Sequence, residues 1–196
     1  MKNLRILLFK CTIGLAFIGG MIGTPVYSQS VFPLDEKGEI VYSEVVKVDS
    51  IKSNELYVRA HEWFANTFKS AKAVIQLDDK EAGKIIGKGD IEADIINHQT
   101  GLMKYSVGGL IYFTVEIQTK DGKYKYSFSN LIRKNENDYE IDFMTIPAST
   151  PMPGLYPKQL DRDRKFYSDV RNDMNKKILN IIDGLKKSMN TNTNNW

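Results

Sequence analysis

Residues 110–132 read LIYFTVEIQTK, then DG, then KYKYSFSNLI, and this stretch decides the fold. Leu110 to Thr119 and Tyr124 to Ile132 alternate apolar with polar side chains, the two-residue period of a half-buried strand. Between them stand Lys120, Asp121, Gly122 and Lys123, and Asp-Gly is a tight hairpin turn because its residues tolerate the positive φ that the turn demands. Phe113, Val115 and Ile117 then share one face with Tyr124, Tyr126 and Phe128. Thr114, Glu116, Lys123 and Lys125 point to water.

Working outward, an apolar sheet face needs a cover, and two segments supply it. Ser53 can cap a helix in which Glu55 sits in the first turn, and Leu56, Ala60, Trp63, Phe64, Thr67 and Phe68 recur at three- and four-residue steps. Its other face carries Glu55, Arg59, Glu62, Asn66 and Lys69, with an i,i+4 pair available between Glu55 and Arg59. From Asp161 to Met189, Phe166, Val170, Met174, Ile178, Ile181, Ile182, Leu185 and Met189 repeat at helical spacing, predicting a long amphipathic helix.

The remaining segments complete a sheet. Glu39–Val48 reads as a strand built on Ile40, Tyr42, Val45, Val46 and Val48. Ala71–Leu77 reads as a second, turning at Asp78, Asp79 and Lys80, and Gly83–Ile96 as a third, interrupted by glycines. Tyr139–Ile146 adds a short strand, and Pro147, Pro151, Pro153 and Pro157 make an irregular connection. The order predicts an α+β fold, a curved antiparallel sheet with two helices packed on one face.

The first residues have the order of a signal peptide: Lys2, Arg5 and Lys10 without an acid, an apolar run from Cys11 to Ile22, then Val26 and Ser28 as small side chains before a cleavage point. A spanning helix needs about 20 apolar residues, and this run is shorter and broken by Gly14, Gly19 and Gly20. The expected organisation is therefore a leader over 1–28, one α+β domain over 29–189 and a polar tail over 190–196. The expected location is the periplasm or the medium outside a Gram-negative cell, with no stable membrane span after cleavage.

Loss of the leader takes Lys plus Arg from 27 to 24, level with 24 acids, so the mature chain is neutral. Nucleic acid needs a concentrated positive field and is not an expected partner. The single Cys11 leaves with the leader, so no disulfide forms within the mature chain and stability rests on the core.

The chain also carries a family likeness. Phe32, Pro33, Asp35 and Gly38, the strand ending Val46-Lys47-Val48-Asp49, the helix from Glu55-Leu56-Tyr57 to Trp63-Phe64, and Gly83-Lys84-Ile85-Ile86-Gly87-Lys88-Gly89 together resemble an exported bacterial family catalogued as domain of unknown function 4468. The resemblance spans roughly residues 32–134. It implies a fold like that of the TATA-binding protein, and it implies no activity and no site residues, since the family has none assigned. Likeness to a DNA-binding fold does not imply DNA binding, because function lives in sites.

Chemistry-bearing residues are sparse. Gly83, Gly87 and Gly89 resemble a phosphate cradle or the gripping loop of KH domains, but Lys88 is followed by Gly89 and Asp90 rather than by Ser or Thr opening a helix. A bulge or strong sheet curvature accounts for them. His61 and His98 lack a second His or Cys at metal-ligand spacing. Asp78, Asp79, Asp90, Glu92 and Asp94 could supply a carboxylate pair, yet read as turn and strand-surface acids. No Gly-x-Ser-x-Gly elbow is present. Tyr105, Tyr112, Tyr124, Tyr126, Phe113 and Phe128 concentrate in the sheet as core, or as the wall of an apolar cleft.

No catalytic, cofactor-binding or metal residue is assigned, and no cofactor is expected. The leading expectation is a non-enzymatic envelope module that binds a protein or small ligand through its sheet or through the Pro-rich loop at Met152, Pro153, Leu155 and Tyr156. The alternatives are a hydrolase-like envelope enzyme, which a cleft joining His98 to Asp90 or Asp94 would favour, and a carrier holding an apolar ligand between sheet and long helix.

Overall fold

A computed structural model describes residues 31–68, 74–100, 102–135, 137, 138, 140 and 157–191. The leader over 1–28, most of the strand expected at Tyr139–Ile146 and the loop residues Pro147, Pro151, Met152, Pro153, Leu155 and Tyr156 lie outside them.

The elements run β1 (Tyr42–Lys47), α1 (Ser53–Thr67), β2 (Ile75–Asp79), β3 (Lys84–Glu92), β4 (Ile96–Thr100), β5 (Met103–Val107), β6 (Leu110–Lys120), β7 (Lys123–Lys134) and α2 (Pro157–Asn190). Five strands form one antiparallel sheet in the order β1-β7-β6-β3-β2, and β4 with β5 makes a separate two-stranded ribbon. The hairpin at its centre follows the alternation read above. Lys120 faces Lys123 across Asp121 and Gly122, and Gly122 takes φ 73°, the left-handed conformation that glycine holds at no steric cost. The register shifts between Tyr112 and Thr114 of β6, leaving Asn130 and Leu131 of β7 opposite Phe113, a bulge on β7 of the kind that bends a sheet.

One face of that sheet is covered and contributes Ile85, Ile111, Phe113, Val115, Ile117, Tyr124, Tyr126 and Phe128 to the core. α1 lays Leu56, Ala60, Trp63 and Phe64 onto it, and α2 closes the layer with Phe166, Val170, Met174, Ile178, Ile182, Leu185 and Met189. These α2 side chains recur at steps of four and three, and each contributes about 1.5–3 kcal/mol when fully buried. A 34-residue helix of such mixed composition is held by this docking more than by its own propensity.

Several local expectations are corrected. Ser53 is the first residue of α1 rather than its cap: the flanking Lys52 makes no side-chain cap, and the Ser53 N–H donates to Asp121 Oδ1 at 2.8 Å from the hairpin turn. Arg59 does not face water but is buried, and Thr67 is exposed. β2 runs on through Asp78 and Asp79, so the turn falls at 80–83. The strand expected over Gly83–Ile96 ends at Glu92, and the β4–β5 ribbon was not foreseen. Pro157 opens α2 instead of excluding helix, since proline is tolerated in a first turn whose N–H has no helical partner.

The glycines of β3 serve close packing as well as an irregular ladder: the register with β2 shifts between Ile75 and Leu77, opposite Gly87 and Ile86. Pairing of β3 with β6 is unbroken from Lys84 to Glu92. A Cβ on Gly87 would lie 2.5 Å from Phe64 Cε1, and one on Gly89 2.5 Å from Phe68 Cε1, so these two positions let α1's rings rest directly on the backbone.

Candidate functional site

The fold brings together one pair of residues singled out in the sequence. His61 projects from the outer side of α1 toward edge strand β2, where its Nε2 stands 2.8 Å from Asp78 Oδ1. The Tyr57 hydroxyl, one helical turn earlier, donates to the same oxygen, and the Tyr57 and His61 rings lie 4.9 Å apart. The Tyr57 hydrogen bond, with help from His61, holds the Asp78 carboxyl below the usual range, and desolvation with the nearby carboxylate pushes the Tyr57 phenol up to about 12. An open pocket of about 560 Å³ adjoins this cluster, lined by Ser53, Asn54, Tyr57, Lys80 and Glu81.

Acyl-transfer chemistry would need a nucleophile on the second nitrogen of the ring. Among the described residues no hydroxyl or thiol occupies that place, and the Ser53 hydroxyl instead stands 3.1 Å from Thr119 Oγ1. The cluster pins α1 to β2.

The second histidine packs against the long helix. His98 is buried on β4, its ring centroid 4.4 Å from that of Phe166 on α2. Asp90 is exposed on β3, while the Asp94 carboxylate takes Lys177 of α2 at 2.6 Å, which holds its pKa down. Glu92 is exposed at the end of β3, and Asp79 stands opposite Lys84. Gly83 takes φ 62° where the β2–β3 turn enters β3. Among the described residues no group of three His, Cys, Asp or Glu side chains stands close enough to hold a metal ion.

Sequence reasoning missed a buried ion pair. Arg133 of β7 donates to Asp173 Oδ2 of α2 at 2.8 Å, and its other terminal nitrogen reaches the carbonyls of Asp94 and Val107 at 3.0 and 3.3 Å. The Asp94 N–H donates to the same Asp173 oxygen at 3.1 Å. Burial raises the Asp173 carboxyl pKa against the pull of the guanidinium. The pair welds the sheet, the β3–β4 connection and α2 into one unit.

The space between sheet and long helix, where an apolar ligand was one expectation, holds the buried side chains of Val170, Met174, Ile178, Ile182, Leu185 and Met189. Phe113, Tyr124, Tyr126 and Phe128 belong to the same core, Tyr112 lies on the opposite face of the sheet, and Tyr105 sits in β5.

The opposite face of the sheet is the remaining surface of consequence. Lys84, Ile86 and Lys88 of β3, Tyr112, Thr114, Glu116 and Gln118 of β6, and Lys125, Ser127 and Ser129 of β7 alternate away from the core. Among the described residues no helix lies over them. Lys84 pairs with Glu116 at 2.9 Å and Lys134 with Asp138 at 2.9 Å, and Lys134 also sits 5.6 Å over the Tyr112 ring.

Residues 42–133 match the family described as a domain of unknown function (DUF4468) with TBP-like fold. The crystal structure of a DUF4468 family protein from Bacteroides ovatus is similar at a TM-score of 0.60 and 12% identity, over 86% of this chain and 95% of that one. A TBP-like protein from Parabacteroides distasonis is similar at a TM-score of 0.50 and 13% identity, over 80% of this chain and 97% of that one. At such identities the likeness shows the fold alone, and it agrees with the α+β architecture read from the sequence. No curated protein matches.

Proposed function

We propose that this chain, whose residues 42–133 match DUF4468 with its TBP-like fold, is an exported, non-enzymatic binding module of the cell envelope whose working surface is the uncovered face of its five-stranded sheet. One observation carries the reading: both helices pack on the same side, leaving the other side of the sheet without a covering helix among the described residues. Domains bury one face of a sheet and solvate or dock the other, and a face left open with half-buried aliphatic and aromatic side chains is a ready contact surface. Export rests on the basic start, short apolar run and small residues of 1–28. Among the described residues no helix is long and apolar enough to cross a membrane.

Lysine footprinting of the native protein in envelope extract tests the surface. Protection of Lys84, Lys88 and Lys125 with labelling of Lys176 and Lys187 on α2 unchanged is the expected outcome. Equal labelling of both sets with and without extract would remove the reading.

A further inference from the structure

The register of β1, β7 and β6 assembles a cluster that no single stretch of sequence displays. Lys47 lies directly opposite Lys123 across the β1–β7 pairing, Lys123 directly opposite Lys120 across the hairpin, and Lys125 is two residues along from Lys123. Directly opposed residues share a face, so all four ammonium groups stand on the uncovered side of the sheet at its hairpin end. Among the described residues none of the four has an ion-pair partner. The nearby acids are taken: Glu116 by Lys84, and Asp121 by the Ser53 N–H and by Lys52 at 3.4 Å.

Like charges directly opposite destabilise a sheet, and two such pairs meet at Lys123. A fold that breaks a local rule without an internal compensation tends to do so at a functional site. Three of the four lysines line a concavity: Lys120, Lys123 and Lys125, with Gln118, Tyr124 and Val45, surround a pocket of about 170 Å³, and Lys47 stands beside it opposite Lys123. Val45 is 56% exposed on its rim.

We infer that this pocket is a binding site for a small soluble polyanion, a ligand with two or more phosphate-class oxyanion groups. The inference deepens the surface reading above and rests on it. Four lysines and no arginine supply charge without the planar fork that reads one oxyanion bidentately, which suits a ligand of high charge density over a single carboxylate. Gln118 adds an amide that donates and accepts, and β6 and β7, paired on both sides, commit their backbone groups to the ladder, so recognition over them comes from side chains. A pocket this small takes a compact anion, and its lysines are too local for a long duplex.

Titration calorimetry of the native protein with sodium pyrophosphate tests the site. Expected are saturable binding at low salt, weakening of about tenfold or more as ionic strength approaches 0.3 M, and a similar or larger loss in Lys123→Glu. The same substitution should raise the melting temperature by about 1–4 °C, because it turns two repulsive cross-strand pairs into attractive ones. Lys104→Glu, an equal charge change on β5, should alter affinity by no more than about twofold at that salt. The inference is overturned by absence of saturable binding, by binding indifferent to Lys123→Glu, or by association only with anionic phospholipid vesicles or duplex DNA. Failure with pyrophosphate while footprinting still protects the uncovered face removes the ligand class and leaves the surface reading standing; loss of that protection as well removes both.

Discussion

Arg59 on α1 donates through Nη1 to the carbonyl oxygen of Met189, in the last turn of α2, at 2.7 Å. Its Nε and Nη2 both reach Glu55 Oε1 at 3.0 Å, so one buried guanidinium satisfies a helix C-terminus and an acid at once. The last carbonyls of a helix have no internal partner, and a cation there also opposes the dipole. Arg59 is thereby the clasp between the two helices.

Arg59→Ala should cost about 1.5–3 kcal/mol, the range for hydrogen bonds to a charged group. Urea unfolding at neutral pH checks it. A loss under about 0.5 kcal/mol would place Arg59 among ordinary surface residues.

Gly87→Ala should destabilise by about 1–3 kcal/mol, because its methyl would overlap the buried Phe64 ring. Phe64→Leu makes room, so the double variant should lose less than the two single losses combined. Thermal melts of the three variants suffice, and an unshifted Gly87→Ala curve would show that α1 does not bear on β3 there.

Removing either partner of Arg133–Asp173 strands a buried charge and should cost about 3–5 kcal/mol. Arg133→Met with Asp173→Leu should cost less than either alone, since a matched apolar pair needs no desolvated charge. Additive losses across the cycle would deny the coupling seen at 2.8 Å.

Acid should loosen the α1–β2 contact. The folded-state pKa of Asp78 lies below its unfolded value, so its stabilisation is fully present above the ordinary carboxylate range near pH 4 and is lost as pH falls through the folded value. Melting temperatures between pH 7 and pH 3 should therefore fall more steeply in the native protein than in Asp78→Asn. Parallel curves would assign the acid loss elsewhere, for instance to Glu44, whose pKa is lowered by Lys186 and Tyr126.

How much of this was legible follows from the range of each signal. The β6–β7 hairpin could be read because alternation and Asp121-Gly122 are local, and α2 because seven apolar residues recur over six turns. The β4–β5 ribbon escaped because Asn97, His98, Gln99 and Thr100 show no apolar alternation, although Met103, Tyr105 and Val107 carried a faint one. Arg59 reads as a surface residue until α2, 130 residues later, supplies Met189. Asp78 reads as a turn acid until β2 stands against α1 and meets His61. The lysine cluster needs the pairing of Lys47 with Lys123, which joins strands 76 positions apart and follows only from the completed sheet.

Ligand binding, as proposed above, takes place on the uncovered face of the sheet. Lysine footprinting of the native protein in its own envelope extract reads this directly. Protection concentrated on Lys47, Lys84, Lys88, Lys120, Lys123 and Lys125 is the predicted result; protection confined to Lys176, Lys186 and Lys187 on α2, or none on either side, would contradict it.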